Sequence, residues 1–473
     1  MKILLVTKHL TGGGAEAVVQ ATAACLTQAG HEVHVAWAGP FEHAAEWQTI
    51  AGLQSVTLHT APSASPTSWP SWGSWGSWMG ALGNLHHTLQ QYRPGSAYQQ
   101  QIRHFLDQTV ARICPDLVHV HHWPGIAEGL GNLACPTLLT VHHAWPVCPA
   151  DTLLMGGQTP CELACTHTHS PAHAPSAQVG TPSDQVGQAC LTHRCLSNPL
   201  LRHTRVAAFR HMTVHRQLDA YNRVIAPSQA LCRLLQQSGV VEASRIHHLA
   251  NPMPPWLTPL MQQPAASPHA KAVKVPGPPD GYFLAVGHLA RHKGFDYLLD
   301  VWQSLSGPER WPLKIAGSGP DYNRLNRRIK RHGLSPFVSL LGHVTGSQLG
   351  DLYRNAYALI VPSLWFENAP ISIYEAAAHG CPVVAHHVGG LHELVTEGQT
   401  GMIVPARQPT ALTSALAQLV QTPTLRQQLG QAAQQQLATC PSAHYGKHML
   451  DLYHRVIESQ SVNTVALTTP SID

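Results

Sequence analysis

The feature that most constrains this chain is an alternation, kept up nearly from end to end, of short apolar runs with helix-length segments. In the first half, residues 2–7, 32–38, 55–59, 116–122, 137–142, 223–227 and 246–249 read as strands, and residues 15–29, 98–113 and 229–238 as the clearest helices between them. A second series begins at residues 282–287 and continues at 313–317, 337–341, 357–361, 382–386 and 402–404. Each strand of that series is followed by a helical segment. Strands alternating with helices belong to parallel sheets covered on both faces. At 473 residues the chain is too long for one ordinary core, so the two series predict two α/β domains.

Three segments break the rhythm. Residues 61–80 repeat Trp-Gly-Ser units (Trp72-Gly73-Ser74-Trp75-Gly76-Ser77-Trp78) and read as a low-complexity insertion. Residues 148–195 form a second, Cys- and His-rich insertion, with His, Pro, Ser and Gln crowded into 166–188. Residues 254–280 carry many prolines and little periodicity, as a linker would. The expected organisation is a first domain over 1–253, a second over 281–440, a helix over 441–460 and a disordered tail over 461–473.

Charged residues make up only 11% of the chain, well below the usual quarter, and 34 His, 37 Pro and 37 Gly stand in their place. A net charge of +4, with no Lys/Arg stripe interleaved with aromatics, argues against a nucleic-acid partner. A weakly basic balance is compatible with peripheral contact to an anionic inner-membrane surface. The apolar run at residues 3–6 is broken by Thr7 and Lys8 before any cleavage site, and no stretch approaches ~18 uninterrupted apolar residues. The expectation is a cytoplasmic protein whose eleven cysteines are thiols or metal ligands rather than a disulfide framework.

Thr11-Gly12-Gly13-Gly14-Ala15-Glu16 follows the first strand and opens a helix. Glycine lets a ligand approach the backbone, and a helix N-terminus favours anionic groups. Gly13 and Gly14 are therefore candidate ligand contacts. The run is not GxGxxG, and Trp37-Ala38-Gly39 stands where a dinucleotide site would carry an acid, so a dinucleotide cofactor is disfavoured.

In the second half, Gly287-His288-Leu289-Ala290-Arg291-His292-Lys293-Gly294 also joins a strand to a helix, at the kind of strand end where open α/β sheets bind ligands. Lys293 and Arg291 there could neutralise a diphosphate. Gly317 and Gly319 end the next strand in another close-approach loop. The most informative stretch runs from Pro362 to Val384. Pro370 suits a helix start and Gly380 with Pro382 its end, which places Glu367 in the preceding loop and Glu375 in the second turn. Both carboxylates then lie at the positively polarised end of the helix, suited to sugar or ribose hydroxyls, while the N–H groups of Ile371 and Ser372 can meet phosphate. Either glutamate alone would read as solvated surface. Together, between buried strands and beside glycine loops, they read as a site.

These motifs resemble glycosyltransferase family 4 of the GT-B fold. The resemblance is carried by Gly12–Glu16, 287–294, 317–320, the E-x7-E pair Glu367/Glu375, and His386-His387-Val388-Gly389-Gly390 leading to Glu393. It implies two Rossmann-like doubly wound domains facing a central cleft, with the last helix crossing back to the first. It further implies retaining transfer of a sugar from a nucleotide-diphosphate sugar to a saccharide or lipid-linked acceptor. Lys293 would bind the diphosphate, Glu375 the ribose and Glu367 the donor sugar near the reacting carbon, with Asn368, Ala369, Pro370 and Ile371 lining the sugar site. Under this resemblance Gly13 and Gly14 would be contacts to the nucleotide-sugar donor. The family usually has Arg where His288 stands. Either Arg291 substitutes, or phosphate binding is weaker. No Asp-x-Asp occurs anywhere, in keeping with metal-independent catalysis that needs no cofactor.

In the first domain, His119-Val120-His121-His122 ends one strand and His142-His143-Ala144-Trp145 the next. Alternation places His119 and His121 on one face. In a chain with 34 His any one of them is ordinary, but two clusters at adjacent strand ends single out His121 and His142 as catalytic candidates on the acceptor side. Relatives often read His-Asp-x-Trp at the second cluster, and here the Asp is replaced by His143. Cys148, Cys161, Cys165, Cys190 and Cys195 are spaced more loosely than a zinc ribbon. Some family members carry a similar Cys-rich excursion, and a structural zinc here is the corresponding expectation. Two other readings remain open: a GT-B nucleotide-sugar epimerase, and a catalytically silent metal-binding or scaffold protein.

Overall fold

The structure is a computed structural model. It describes residues 1–10, 13–37, 47, 50, 52–61, 96–121, 130, 133, 135–148, 154–155, 159–160, 203, 206–209, 217–257, 281–307, 310–439 and 442–468. The Trp-Gly-Ser insertion, almost all of the Cys/His-rich insertion and most of the linker lie outside the described residues, as does Gly12.

The chain divides into two compact units, one made of most of residues 1–255 together with 442–473, the other of residues 256–441 with 158–160. The first unit holds β1 (Lys2–Thr7), β2 (Glu32–Trp37), β3 (Thr57–Thr60), β4 (Leu117–His121), β5 (Thr137–Thr140), β6 (Arg223–Ala226) and β7 (Ile246–His248). They form one sheet in the order β3-β2-β1-β4-β5-β6-β7, every neighbouring pair parallel. Its helices include α1 (Gly14–Gln28), α2 (Ala97–Ile113) and α3 (Gln229–Ser238). Local chemistry sets the ends of the last two. Ser96 accepts from the Gln99 N–H at 3.2 Å, Ser228 from the Leu231 N–H at 3.1 Å, and Gly239 stops α3 at a φ of 66°.

The second unit holds β8 (Tyr282–Val286), β9 (Leu313–Ala316), β10 (Val338–Gly342), β11 (Ala356–Val361), β12 (Val383–His386) and β13 (Gly401–Val404), again all parallel, in the order β10-β9-β8-β11-β12-β13. The helices are α4 (Phe295–Ser304), α5 (Tyr322–Arg331), α6 (Gly346–Arg354), α7 (Ile371–Ala378), α8 (Leu391–Leu394), α9 (Pro409–Gln421) and α10 (Pro423–Ala438). The inner strands β8 and β11 are apolar nearly throughout because both faces are covered, whereas the edge strand β10 exposes alternate residues. Phe283, Ala285, Ile315 and Ile360 enter the core on one side, while Tyr282, Leu284, Leu359 and Val361 enter the core on the other.

The last helix, α11 (Ser442–Thr468), returns to the first unit. Tyr445, Met449, Leu452, Tyr453 and Val456 form a stripe at helical spacing and join the first core, where they meet Ile3, Leu5, Val33 and Leu117. Tyr445 and Thr22 hydroxyls hydrogen-bond at 2.8 Å, tying α11 to α1. The helix continues through Thr468, so the tail expected to be disordered from residue 461 begins as helix. No helix among the described residues is long and apolar enough to cross a membrane.

Candidate functional site

In the second sheet the strand order reverses beside β8: β9 and β10 lie on one side and β11 to β13 on the other. Such a reversal leaves an opening at the carboxyl ends of the two strands, because their connections leave in opposite directions. The connection after β8 is residues 287–294, and that after β11 is residues 362–370. These are the two loops the sequence singled out.

Across this opening Lys293 Nζ donates to Glu367 Oε1 at 2.8 Å, and the Ser363 hydroxyl donates to the same oxygen at 2.5 Å. Trp365 packs against the lysine of this pair. Its ring lies 4.4 Å from the Lys293 ammonium and 4.3 Å from the His292 ring. Glu367 is only 4% exposed. Burial by itself pushes its carboxyl up. The Lys293 charge and the hydrogen bonds from Lys293 and Ser363 outweigh burial and hold it below its ordinary range. Glu367 is thus a fixed anion, a poor proton donor and a good hydrogen-bond acceptor. Lys293 is the cation facing it. His288 and Arg291 stand exposed on the same loop.

Glu375 is built differently. It sits on α7, whose first residue follows Pro370 in extended conformation, as the sequence predicted. The Tyr353 hydroxyl, from the end of α6, donates to its Oε2 at 2.9 Å, and Trp256 supplies another hydrogen bond. Burial pushes the Glu375 carboxyl up, more than these two donors bring it down. Asn368 is buried, and Ala369, Pro370 and Ile371 are half-buried along the approach to α7.

Three glycines have structural explanations that the sequence had assigned to a ligand or left open. A Cβ on Gly317 (φ 149°) would lie 1.9 Å from the carbonyl oxygen of Gly287, so the glycine lets the two loops meet. Gly319 meets Leu289 in the same way. A Cβ on Gly389 (φ 54°) would lie 1.9 Å from the Glu367 carbonyl oxygen, which accepts from the Gly390 N–H at 2.7 Å. The His-His-Val-Gly-Gly motif therefore buttresses the backbone of Glu367. His386 joins in: its Nδ1–H donates to the Ser363 carbonyl at 3.0 Å.

The first unit carries a separate cluster. His119 and His121 share a face of β4 with ring centroids 4.1 Å apart, and His121 Nδ1 lies 3.2 Å from His142 Nε2. His119 bridges Tyr453 Oη on α11 at 2.6 Å and Thr140 Oγ1 on β5 at 2.7 Å. All three imidazoles are buried. Burial lowers their pKa values, with a further contribution from neighbouring histidines, to about 3 for His119 and well below the ordinary range for His121 and His142. The cluster is neutral. His121 Nε2 has no hydrogen-bond partner among the described residues. Gly13 and Gly14 are exposed at the start of α1.

Of the expected zinc ligands only Cys148 is described, and it is buried; Cys161, Cys165, Cys190 and Cys195 lie outside the described residues. No group of three or more His, Cys, Asp or Glu able to hold a metal occurs among the described residues. Ser363, Trp365, Tyr353, Trp256 and Tyr453 were not singled out from sequence. Aromatics and serines carry no spacing signal, and only tertiary contact reveals their partners.

The sequence model of Glycosyltransferase Family 4 matches residues 12–255, more than half of the chain, and that of Glycosyl transferases group 1 matches residues 269–436. This chain belongs to glycosyltransferase family 4. Among curated relatives, it is 28% identical over 179 residues to alpha-D-kanosaminyltransferase of Streptomyces kanamyceticus, covering 37% of this chain and 45% of that one. It is 32% identical over 155 residues to D-rhamnosyltransferase WbpZ of Pseudomonas aeruginosa, covering 32% and 39%. The chain thus spans less than half the length of these relatives. The family's two-domain GT-B fold is shared with solved structures. HepE of Anabaena, solved in complex with UDP, aligns over 96% of this chain and all of its own at a TM-score of 0.57 and 16% identity. Sucrose-phosphate synthase of Thermosynechococcus elongatus aligns over 97% and 100% at 0.62, also at 16% identity.

Proposed function

We propose that the protein transfers a sugar from a nucleotide-diphosphate sugar to a saccharide or lipid-linked acceptor, with retention of anomeric configuration and without a catalytic metal. The observation that carries this reading is the Lys293–Glu367 pair at the strand-order reversal of the second sheet. An ammonium beside a fixed carboxylate suits a ligand that joins a diphosphate to a sugar. Lys293, with Arg291 and His288 on its loop and the N-terminus of α7, would offset the charge that develops on the leaving nucleotide diphosphate. Glu367 would accept hydrogen bonds from donor-sugar hydroxyls near the reacting carbon. Glu375, oriented by Tyr353 and Trp256, would hold the ribose with its remaining lone pairs.

The resemblance to retaining family members supports retention, which needs no protein nucleophile. In a front-face transfer the acceptor hydroxyl attacks the anomeric carbon as the bond to the diphosphate breaks. The departing phosphate oxygen takes the acceptor's proton. An ionised Glu367 that accepts hydrogen bonds and does not donate a proton is compatible with this. His121 and His142, neutral and buried, would meet uncharged hydroxyls in the first unit. The relatives' names point to transferases of hexose type, and the HepE structure with UDP to a uridine-type donor as the first to test.

The test is donor binding followed by turnover. Nucleotide sugars are screened by thermal shift, and the best is assayed for hydrolysis and for transfer to saccharide and lipid-linked acceptors. Binding that is lost in Lys293→Met, with turnover lost in Glu367→Gln, supports the assignment. Unchanged donor binding and turnover in both variants would remove it. An acceptor-independent change in the donor sugar's configuration would favour the epimerase instead.

A further inference from the structure

Helix α5 concentrates charge in a chain that has little. Five of the protein's 29 Lys and Arg (Arg324, Arg327, Arg328, Lys330 and Arg331) stand in its ten residues. The helix cannot roll, because Leu325 and Ile329 are buried in the core of the second unit. Two of the five cations have structural work. Arg324 donates to both carboxylate oxygens of Asp296 at 2.5 Å and pairs with Asp321 at 2.9 Å. Arg328 reaches Asp296 at 3.1 Å and also pairs with Asp300. Asp296 and Asp300 belong to α4, so these pairs pin α5 to its neighbour.

The other three are different. The side chains of Arg327, Lys330 and Arg331 are exposed and make no hydrogen bond or ion pair among the described residues. Cations in the last turn offset a helix dipole, which accounts for Lys330 and Arg331 but not for Arg327. Beside them lies a groove of about 380 Å³ lined by Arg324, Arg327, Arg328, Arg331 and His332, with no acid in its lining.

We infer that this face of α5 docks on the anionic phosphates of a lipid surface. The groove is open and the unpaired cations stand in a fixed row along the outside of the helix. A layer of lipid phosphates can meet all of them at once, whereas a single free phosphate would meet one or two. With no described helix able to span a bilayer, attachment through this face is peripheral and electrostatic. Each cation close to an anionic surface strengthens attachment about fivefold, so the three together contribute roughly a hundredfold. The inference does not depend on sugar transfer, and its failure would leave that reading untouched.

The test uses the full chain, sedimented with phosphatidylglycerol/phosphatidylcholine vesicles and with phosphatidylcholine alone. The expected result is binding to the anionic vesicles only, released by salt because exposed charges are screened. The variant Arg327→Gln/Lys330→Gln/Arg331→Gln is expected to lose roughly a hundredfold in vesicle partition while its melting temperature falls by a few degrees at most, since none of the three side chains makes a bond that holds the fold. Failure of the native protein to bind anionic vesicles would overturn the inference. So would equal binding by the triple variant, which would place attachment elsewhere. A rise in melting temperature with inorganic phosphate or pyrophosphate, lost in the variant and without vesicle binding, would overturn it in favour of a soluble-anion site.

Discussion

The two units share an architecture and differ in what they place at the carboxyl ends of their strands. Each is a parallel sheet whose order reverses beside its first strand. At the second, a lysine and a glutamate face each other at 2.8 Å, with the glutamate held ionised. At the first, three histidines touch in a buried cluster that burial keeps uncharged. The two chemistries suit different ligands. A charged pair with a helix N-terminus suits a charged, phosphorylated ligand, and a neutral cluster suits hydroxyls. In a chain where charged residues are only 11%, spending them at the second sheet and using histidine at the first is a division of chemistry.

The largest expected effect breaks the charged side. Lys293→Met or Glu367→Ala should each lower turnover by about 10²–10³-fold, the range seen when one preorganised stabilising group is removed. Glu367→Ala also strands Lys293 in a partly buried site, so it should lose more stability than Glu367→Gln in urea unfolding. If both variants kept turnover within about tenfold, the charged cluster would not sit at the chemistry. The matching change on the neutral side is His121→Ala, expected to raise the acceptor KM while leaving nucleotide affinity unchanged.

Next in size is the scaffold of the neutral cluster. Tyr453→Phe leaves His119 Nδ1 without its hydroxyl partner and should cost about 1–3 kcal/mol of stability by urea unfolding. No loss would mean that the His119–Tyr453 hydrogen bond does not help to hold α11. On the charged side, Trp256→Phe removes one donor from Glu375 and should weaken nucleotide binding several-fold by calorimetry, with kcat unchanged. A change in kcat instead would place Trp256 nearer the transfer step than the ribose.

The sequence disclosed the strands far better than their partners. Every expected strand is present within a few residues, because a strand buried on both faces must be apolar throughout, as Tyr282–Val286 is. The Glu367/Glu375 placement was legible because Pro370, Gly380 and Pro382 punctuate α7. What was not legible is long-range. Tyr453 lies 334 residues from the His119 it bonds, and nothing in the order of residues marks the two as neighbours. Gly317 was read as making room for a ligand, while the contact that demands glycine is the Gly287 carbonyl. Both readings begin from close approach, and only the coordinates say to what.

The smallest effect tests whether the first unit is neutral at its glycine turn too. Glu16, in the first turn of α1, has its pKa raised to about 7 by burial, against the opposing effects of its own backbone hydrogen bond and Lys8. The unfolded chain releases this proton in the ordinary carboxylate range, whereas the native state keeps it to about 7. Glu16 therefore contributes stability at acid pH that is lost as pH rises through that window. Because the side chain is only half-buried in the folded chain, the contribution is discounted for screening to about 1 kcal/mol or less. Glu16→Gln, which cannot ionise, should remove this slope, so the variant's melting temperature should gain on the native protein's between pH 5 and pH 7.5 by a few degrees at most. A variant that instead lost stability at the higher pH would mean that Glu16 is ionised against the helix N-terminus. The first unit would then carry a charge at its strand ends as the second does.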